Sequence, residues 1–481
     1  MNLNQLTIKE SREGLKAKKF SSVELTEACL VQIKKHNKEL NAFITVTEKE
    51  ALEQAKKADE LASSGSVRSL ASQGQALEPQ SLLGIPIALK DMFSTKGIRT
   101  TAASNILKDY IPQYDATVVK KLKDAGAIII GKLNHDAWGH GASGENSDFG
   151  ATKNPWDAEY VPGGSSSGSA VSVASDMCIA STGTDTGGSS RLPAAFCNAV
   201  GLKPTYGRVS RYGIIAMASS LDSIGHLTKT VEDSALMLNI TAGQDSNDAT
   251  TPNQKVPDYR EYLKNGVKGI RIGKPKEYFI QGVDNQIKQL TDDALRKYEM
   301  LGAEIIDISL PHTEYANPCY YIIQPAEVSS NLARYDDIRF GQDRSNFGEE
   351  AKRRIMLGTY TLSAGYYDAY YKKAMQVRTL IKKDFDEAFK KVDAIITPVS
   401  PTLPWKLGEK IDDPLKMYLS DIFTVTANLA GIPGLSVPIG FSKGLPVGMQ
   451  ILGRQFSEAK LFQIGYAYEQ ATEWHKQKPN P

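Results

Sequence analysis

Residues 162–191 read PGGSSSGSAVSVASDMCIASTGTDTGGSSR, with nine serines and six glycines in thirty positions and two separate Gly-Gly-Ser steps. Gly/Ser linkers are polar throughout. Here Ala170, Val171, Val173, Ala174, Met177 and Cys178 fall among the serines, a pattern that suits a closely packed small-residue helix opened by the first Gly-Gly-Ser turn. The segment is therefore structured. A phosphate cradle of the P-loop type needs G-x-x-x-x-G-K-[ST], and no lysine follows either glycine cluster in that register. The nucleophile elbow G-x-S-x-G is matched formally by Gly164-Ser165-Ser166-Ser167-Gly168, with Ser166 at its centre. An elbow follows a hydrophobic strand and needs an acid and a histidine downstream. This one follows EYVPGG, and His226, His312 and His475 lie in no suggestive context.

Taken together, the two clusters read differently. Thr184-Asp185-Thr186-Gly187-Gly188-Ser189 is a tight turn in which glycine lets backbone approach a substrate, and successive N–H groups there can form an oxyanion hole. A serine at its end is placed to attack a carbonyl but needs a base. Lys90, at the end of the apolar run LLGIPIALK, is the candidate: desolvation lowers a lysine pKa and frees a neutral amine. The other reading has Lys90 snorkelling to the surface beside Asp91.

The rest of the chain bounds these readings. Its 481 residues suffice for a substantial core, and 41% hydrophobic with 23% charged residues is ordinary globular composition. No run of about eighteen apolar residues occurs, so no membrane association is expected. The first twenty residues resemble neither a signal peptide nor a transit sequence. Four scattered cysteines without a C-x-x-C pair suggest a reducing, cytoplasmic setting. His135 and His140, five apart, lie on opposite faces of a strand and about 140° apart on a helix, which is poor metal-ligand geometry. A net charge of +2 provides no broad basic face for gripping nucleic acid alone.

Short apolar runs at 82–89, 127–131, 270–273, 304–310, 393–399 and 434–441 read as buried strands between helical stretches, an α/β layered sheet. Ser21-x-x-Glu24 is a capping box opening a helix with Val23, Leu30 and Ile33 on its apolar stripe. Residues 62–81 have the composition of a mobile surface loop. A long amphipathic helix fits 363–390, its Tyr367, Tyr370 and Tyr371 expected to pack into the core with Ala374, Val377, Ile381 and Ala388. With no repeat and no convincing linker, one large domain is expected: a helical N-terminal part to about residue 60, a catalytic core over about 82–230, and a substrate-binding and C-terminal part over about 260–475.

The runs GGSSSGSA and GTDTGGSSRLPAAFCNAVGLKPTYGRVSR, with GIPIALKD upstream, resemble the amidase signature enzymes over nearly the whole chain. That resemblance implies a central mixed sheet covered by helices on both faces. It also implies a Ser–cis-Ser–Lys triad: Ser189 as nucleophile, Ser165 as the bridging serine after a cis peptide, Lys90 as base. The physics agrees, because the leaving ammonia must be protonated and a bridging hydroxyl passes the proton both ways. The oxyanion would rest on backbone N–H groups from Thr186, Gly187 and Gly188 to Ser189.

CYYIIQPAEVSSNLARYDDIRFG (319–341), AKRRIMLGTYTLSAGYYDAYYKKAMQVRTLIKKDF (351–385), KNPWD (153–157) and YGRVSRYGIIAMASSLDSIG (206–225) are similar to the A subunits of glutamyl-tRNA(Gln)/aspartyl-tRNA(Asn) amidotransferases. The resemblance implies glutamine as substrate, held by Tyr320 (Tyr321 being the neighbouring candidate), Arg354 and Asp421. Arg354 suits an α-carboxylate and Asp421 an α-ammonium. It implies no cofactor in this chain, with ATP and Mg²⁺ at a B subunit that also meets the charged tRNA, and a small C subunit completing a heterotrimer. The alternatives are a stand-alone amidase for a small or lipid-like amide and a non-catalytic assembly subunit; the complete Lys90, Ser165 and Ser189 set speaks against the last. Departures from the family pattern are Ser167 in place of glycine, Ser190 in place of a β-branched residue, the atypical NHDAWGHGASGENSDFG (134–150), and a short connection at about 340–350.

Overall fold

The computed structural model describes residues 2–64, 81–335, 337 and 342–480. Most of the surface loop expected at 62–81, and the start of the short connection at 340–350, lie outside the described residues.

Eleven strands form one sheet: β1 Phe43–Val46, β2 Pro86–Lys90, β3 Ile128–Leu133, β4 Ala180–Asp185, β5 Val200–Lys203, β6 Ser223–Thr228, β7 Arg271–Pro275, β8 Glu304–Ile308, β9 Ala394–Pro398, β10 Gly434–Ser442 and β11 Leu445–Leu452. Their order is β1-β3-β2-β4-β6-β5-β10-β11-β9-β7-β8. The sheet is mixed, as expected: β2 runs parallel to β3 and β4, and β4 antiparallel to β6. Helices surround it, and β2, β3 and β4 are buried along their whole length, which is why two of them read as continuous apolar runs. All six strands legible in the sequence are present.

Parallel pairing of β2 with β4 places their ends side by side, so Lys90 at the end of β2 and the turn after Asp185 at the end of β4 open on the same edge. The helix Ser167–Ala174 precedes β4, as the small-residue pattern of the serine-rich stretch suggested. The capping box is also present: Ser21 Oγ accepts from Glu24 N at 3.1 Å, and Glu24 accepts from Ser21 N at 2.7 Å.

One expectation is corrected. The helix expected over 363–390 is a π-helical turn, Tyr367–Lys372, followed by an α-helix, Lys373–Ala388. Gly365, at φ +87°, sits in the turn that ends the preceding helix, and the wider π-helical turn after it shifts the face that residues 367–372 present. Tyr367 and Tyr370 are accordingly 46% and 44% exposed instead of packed inside, while Ala374, Ile381 and Ala388 are buried.

Two helices, Ala316–Leu332 and Glu349–Leu362, cross closely over the open edge. Gly358 allows this: a Cβ there would lie 1.9 Å from the Pro325 carbonyl oxygen. Gly358→Val should force the helices apart and destabilise the fold by about 1–3 kcal/mol, read as a lower urea midpoint at unchanged slope.

Candidate active site

Lys90 ends β2 with its side chain fully buried. Its Nζ donates to Ser165 Oγ at 2.8 Å, Thr184 Oγ1 at 2.8 Å and Ser166 Oγ at 3.0 Å. The snorkelling alternative is excluded, because Asp91 turns away to pair with the buried Lys132 at 3.2 Å. Burial pushes the Lys90 pKa down to about 7, against the opposing pull of Asp136, Asp185 and Asp222. A substantial fraction is therefore the neutral amine near neutrality.

The Gly164-Ser165 peptide is cis. Asp136 backs it: a Cβ on Gly164 would lie 2.1 Å from Asp136 Oδ2, and Asp136 N donates to the Ser165 carbonyl at 3.2 Å. Ser166 N donates to the Ser189 carbonyl at 3.1 Å, which ties the first glycine-serine cluster to the second. Exposure increases along the series Lys90 0%, Ser165 1% and Ser189 8%, so the serine at the end of the turn is the one that faces a substrate.

The turn at 186–190 is held from beneath by Asp185. Its Oδ1 accepts from Gly188 N at 3.0 Å and its Oδ2 from Ser190 N at 3.1 Å. Arg191, also fully buried, reaches back with Nε to Oδ2 at 3.1 Å and Nη2 to Oδ1 at 3.0 Å. Burial works to raise the Asp185 pKa, but Arg191 overrides it and holds the group at about 2. Gly188 N–H is thus committed, which corrects its place in the expected oxyanion set. The N–H groups of Thr186, Gly187 and Ser189 have no acceptor among the described residues. Thr424 Oγ1 fixes the Gly187 carbonyl at 2.6 Å, and Asp222 Oδ1 accepts from Thr186 Oγ1 at 2.7 Å.

Over this turn stand the residues expected to meet substrate. The Tyr320 ring packs on Gly187, where a Cβ would meet its hydroxyl at 2.7 Å. The Tyr321 hydroxyl donates to Asp421 Oδ2 at 2.8 Å, and its ring stacks on Tyr418 at 3.9 Å. The Arg354 guanidinium lies 5.5 Å from the Tyr321 ring centre and 5.6 Å from that of Tyr418. Its Nε donates to Glu350 Oε1 at 2.7 Å, and its Nη atoms make no hydrogen bond among the described residues. Burial raises the Asp421 pKa to about 7 against the Tyr321 hydrogen bond and the Arg354 charge. The fold thus brings Lys90, Ser165, Ser189, Tyr320, Tyr321, Arg354 and Asp421 to one edge of the sheet. Sequence reasoning missed Thr184, Asp136, Glu350 and Tyr418. Glu350 carried a readable signal, standing four residues before Arg354 on one helix.

A family model described as Amidase matches residues 24–462. The chain belongs to the amidase family. It is 53% identical over 494 residues to the A subunit of glutamyl-tRNA(Gln) amidotransferase from Carboxydothermus hydrogenoformans, with 100% of both chains covered. It is 54% identical to the protein of the same name from Geobacter metallireducens, with 99% of both covered. Among solved structures, the A subunit of glutamyl-tRNA(Gln) amidotransferase from Thermotoga maritima superposes with a TM-score of 0.82 at 44% identity, covering 98% of this chain and 96% of that one. Native peptide amidase of Stenotrophomonas maltophilia superposes at 0.81 with 30% identity, over 99% and 98%.

The Asp185–Arg191 pair should be the costliest to break. Asp185→Ala or Arg191→Ala should each remove about 3–5 kcal/mol by stranding a buried charge. In a double-mutant cycle followed by urea unfolding, removing both should cost clearly less than the sum.

Proposed function

We propose that this chain is the glutamine-hydrolysing subunit of a tRNA-dependent amidotransferase. The observation that carries this reading is the placement of Arg354 and Asp421, joined through Tyr321, above the turn that ends in Ser189. A cation whose Nη donors have no acceptor among the described residues and a carboxylate suit the two charged groups of an amino acid, whereas a simple amide would use neither.

Ser189 Oγ attacks the side-chain amide carbon of glutamine. Its proton passes to Ser165 Oγ, which gives its own to neutral Lys90. The oxyanion is received by N–H groups of Thr186, Gly187 and Ser189. When the C–N bond breaks, the proton returns through Ser165 to the nitrogen and ammonia leaves, with Lys90 neutral again. Water then cleaves the γ-glutamyl ester by the same relay and releases glutamate. Ammonia goes to a B subunit, which activates the carboxyl group of a misacylated tRNA with ATP and Mg²⁺, and a C subunit braces the pair. The chain's near-balanced charge fits leaving the tRNA to a partner.

Ammonia release from glutamine by this chain should rise strongly when B and C subunits, charged tRNA and ATP are added. Ser189→Ala should lower it about 10³-fold or more. Brisk hydrolysis of simple amides by the isolated chain, indifferent to partners and poor on glutamine, would instead assign a free-standing amidase.

The pH dependence follows from Lys90. Its protonated form dominates below about 7 and cannot accept the serine proton, so kcat for glutamine should fall about tenfold per pH unit on the acid side. Asp421→Asn should raise KM and leave that limb of kcat in place, because the limb belongs to Lys90.

A further inference from the structure

Asn317, Tyr320, Gln324 and Asn331 form one stripe of the helix Ala316–Leu332, since steps of three, four and seven residues return to the same side. Two members of this stripe, Tyr320 and Asn331, are anchored at the reaction centre. Tyr320 packs on Gly187. Asn331 Nδ2 donates to the Met217 carbonyl at 3.0 Å, and Met217 N in turn donates to Asp222, the residue that holds Thr186. Gln324 lies between these anchors with no exposed surface, and neither Oε1 nor Nε2 has a partner among the described residues.

From the other side comes the loop after Asp136. Gly139 stands where a Cβ would lie 3.1 Å from Met217 Sδ and 3.6 Å from Met92 Sδ, and Met92 Sδ accepts from Thr184 Oγ1 at 3.7 Å. The next residue, His140, is 1% exposed, and both its ring nitrogens lack partners among the described residues. Burial and the charge of Arg354 hold this imidazole well below its ordinary pKa, so it is neutral. Two elements thus converge on Met217, each bringing an uncharged polar side chain without a hydrogen-bond partner among the described residues.

A buried polar group without a partner costs about 1–3 kcal/mol, and native structures keep few of them. A neutral imidazole supplies one donor and one acceptor, and a carboxamide supplies both kinds as well. With the Arg354 charge felt at His140 and Gln324 one turn beyond Tyr320, such groups would match the carboxylate and ammonium of an amino acid and penalise a ligand that has neither. Sites built to hydrogen-bond a substrate reject analogues that cannot reciprocate.

We propose that His140 and Gln324 are specificity-determining residues that hydrogen-bond the amino-acid end of the substrate and exclude apolar amides from the pocket. This rests on the glutaminase reading above.

The test compares L-glutamine with pentanamide, which has the same chain length but lacks the amino and carboxylate groups, using the full chain with its partner subunits. His140→Leu and Gln324→Met should each lower kcat/KM for glutamine about tenfold, the worth of a lost hydrogen bond to a charged group. The loss should fall in KM with kcat nearly unchanged, while pentanamide turnover holds or rises. His140→Gln, which keeps a neutral donor and acceptor, should recover much of the loss, and melting temperatures should not fall. Variants that keep the wild-type preference for glutamine within twofold overturn the proposal alone. So does either apolar variant failing to fold, because its polar atoms would then have had structural partners. A wild-type enzyme that itself prefers pentanamide overturns both this proposal and the glutaminase reading.

Discussion

The Asp185 carboxylate is the constraint on which the reaction centre depends. It ends β4, and its two oxygens accept from the backbone of Gly188, Ser190 and Arg191, from the Arg191 guanidinium and from Asn428 Nδ2 at 2.9 Å. An ionised carboxylate in this place satisfies the N–H groups at the start of the helix Arg191–Cys197, where negative charge is favoured. Removing two charges from water is expensive and is offset only when every lone pair and proton finds a partner. Here Arg191 meets that condition with further bonds to Gln450 Oε1 at 2.7 Å, Asn428 Oδ1 at 2.7 Å and the Thr424 carbonyl at 3.0 Å. The result is a turn of fixed shape. Because Asp185 consumes the Gly188 N–H, the donors of this turn left without an acceptor among the described residues are those of Thr186, Gly187 and Ser189.

A second constraint concerns what Lys90 does not touch. A lysine paired with a carboxylate would keep its proton and could not serve as a base. The neighbouring acid in the chain, Asp91, is taken up by Lys132 and by Thr101, whose N and Oγ1 donate at 2.8 Å and 2.5 Å. Asp222 is occupied by Thr186 and by two backbone donors, Met217 and Ala218. Lys90 is left among hydroxyls alone, which accept from an ammonium and donate to an amine equally well. That is the environment a proton reservoir needs, since both protonation states must be tolerated without rearrangement.

This logic was partly legible in the sequence. The apolar run ending in Lys90 and the two Gly-Gly-Ser steps contained the reactive groups, because strand patterning and glycine turns are local properties. Strand β4 was not read as a strand. Its ASTGTD has no apolar run, and its small residues are buried because neighbouring elements approach closely: a Cβ on Gly183 of β4 would lie 2.8 Å from Leu227 Cδ1 of β6. The tyrosines at 367 and 370 misled for the opposite reason, since periodicity assumed one unbroken α-helix and the π-helical turn Tyr367–Lys372 shifts the phase. The pairing of Tyr321 with Asp421, a hundred residues apart, could not be read locally at all. What Gly358 provides is the crossing of two helices, which sets Arg354 of one against the Tyr321 ring of the other.

The division between these parts bears on how one fold serves different substrates. The residues proposed to move the proton, Lys90, Ser165 and Ser189, come from the stretch between β2 and β6, whereas Tyr320, Arg354 and Asp421 come from helical segments after residue 315. A peptide amidase superposes on nearly the whole chain, so architecture alone does not choose a substrate. The choice lies in how the upper wall is charged before a substrate arrives. Glu350 accepts from Arg354 Nε and from the Tyr418 hydroxyl at 3.1 Å, which holds the guanidinium against the two stacked rings with its Nη donors unpartnered among the described residues. A cation fixed in this way loses little freedom when it binds a carboxylate, and affinity gained by preorganisation needs no further contact area. Asp421, with its pKa raised to about 7, is the complementary half. On the proposed reading an arriving ammonium would favour its charged form, so binding of the amino acid itself would complete the ionisation.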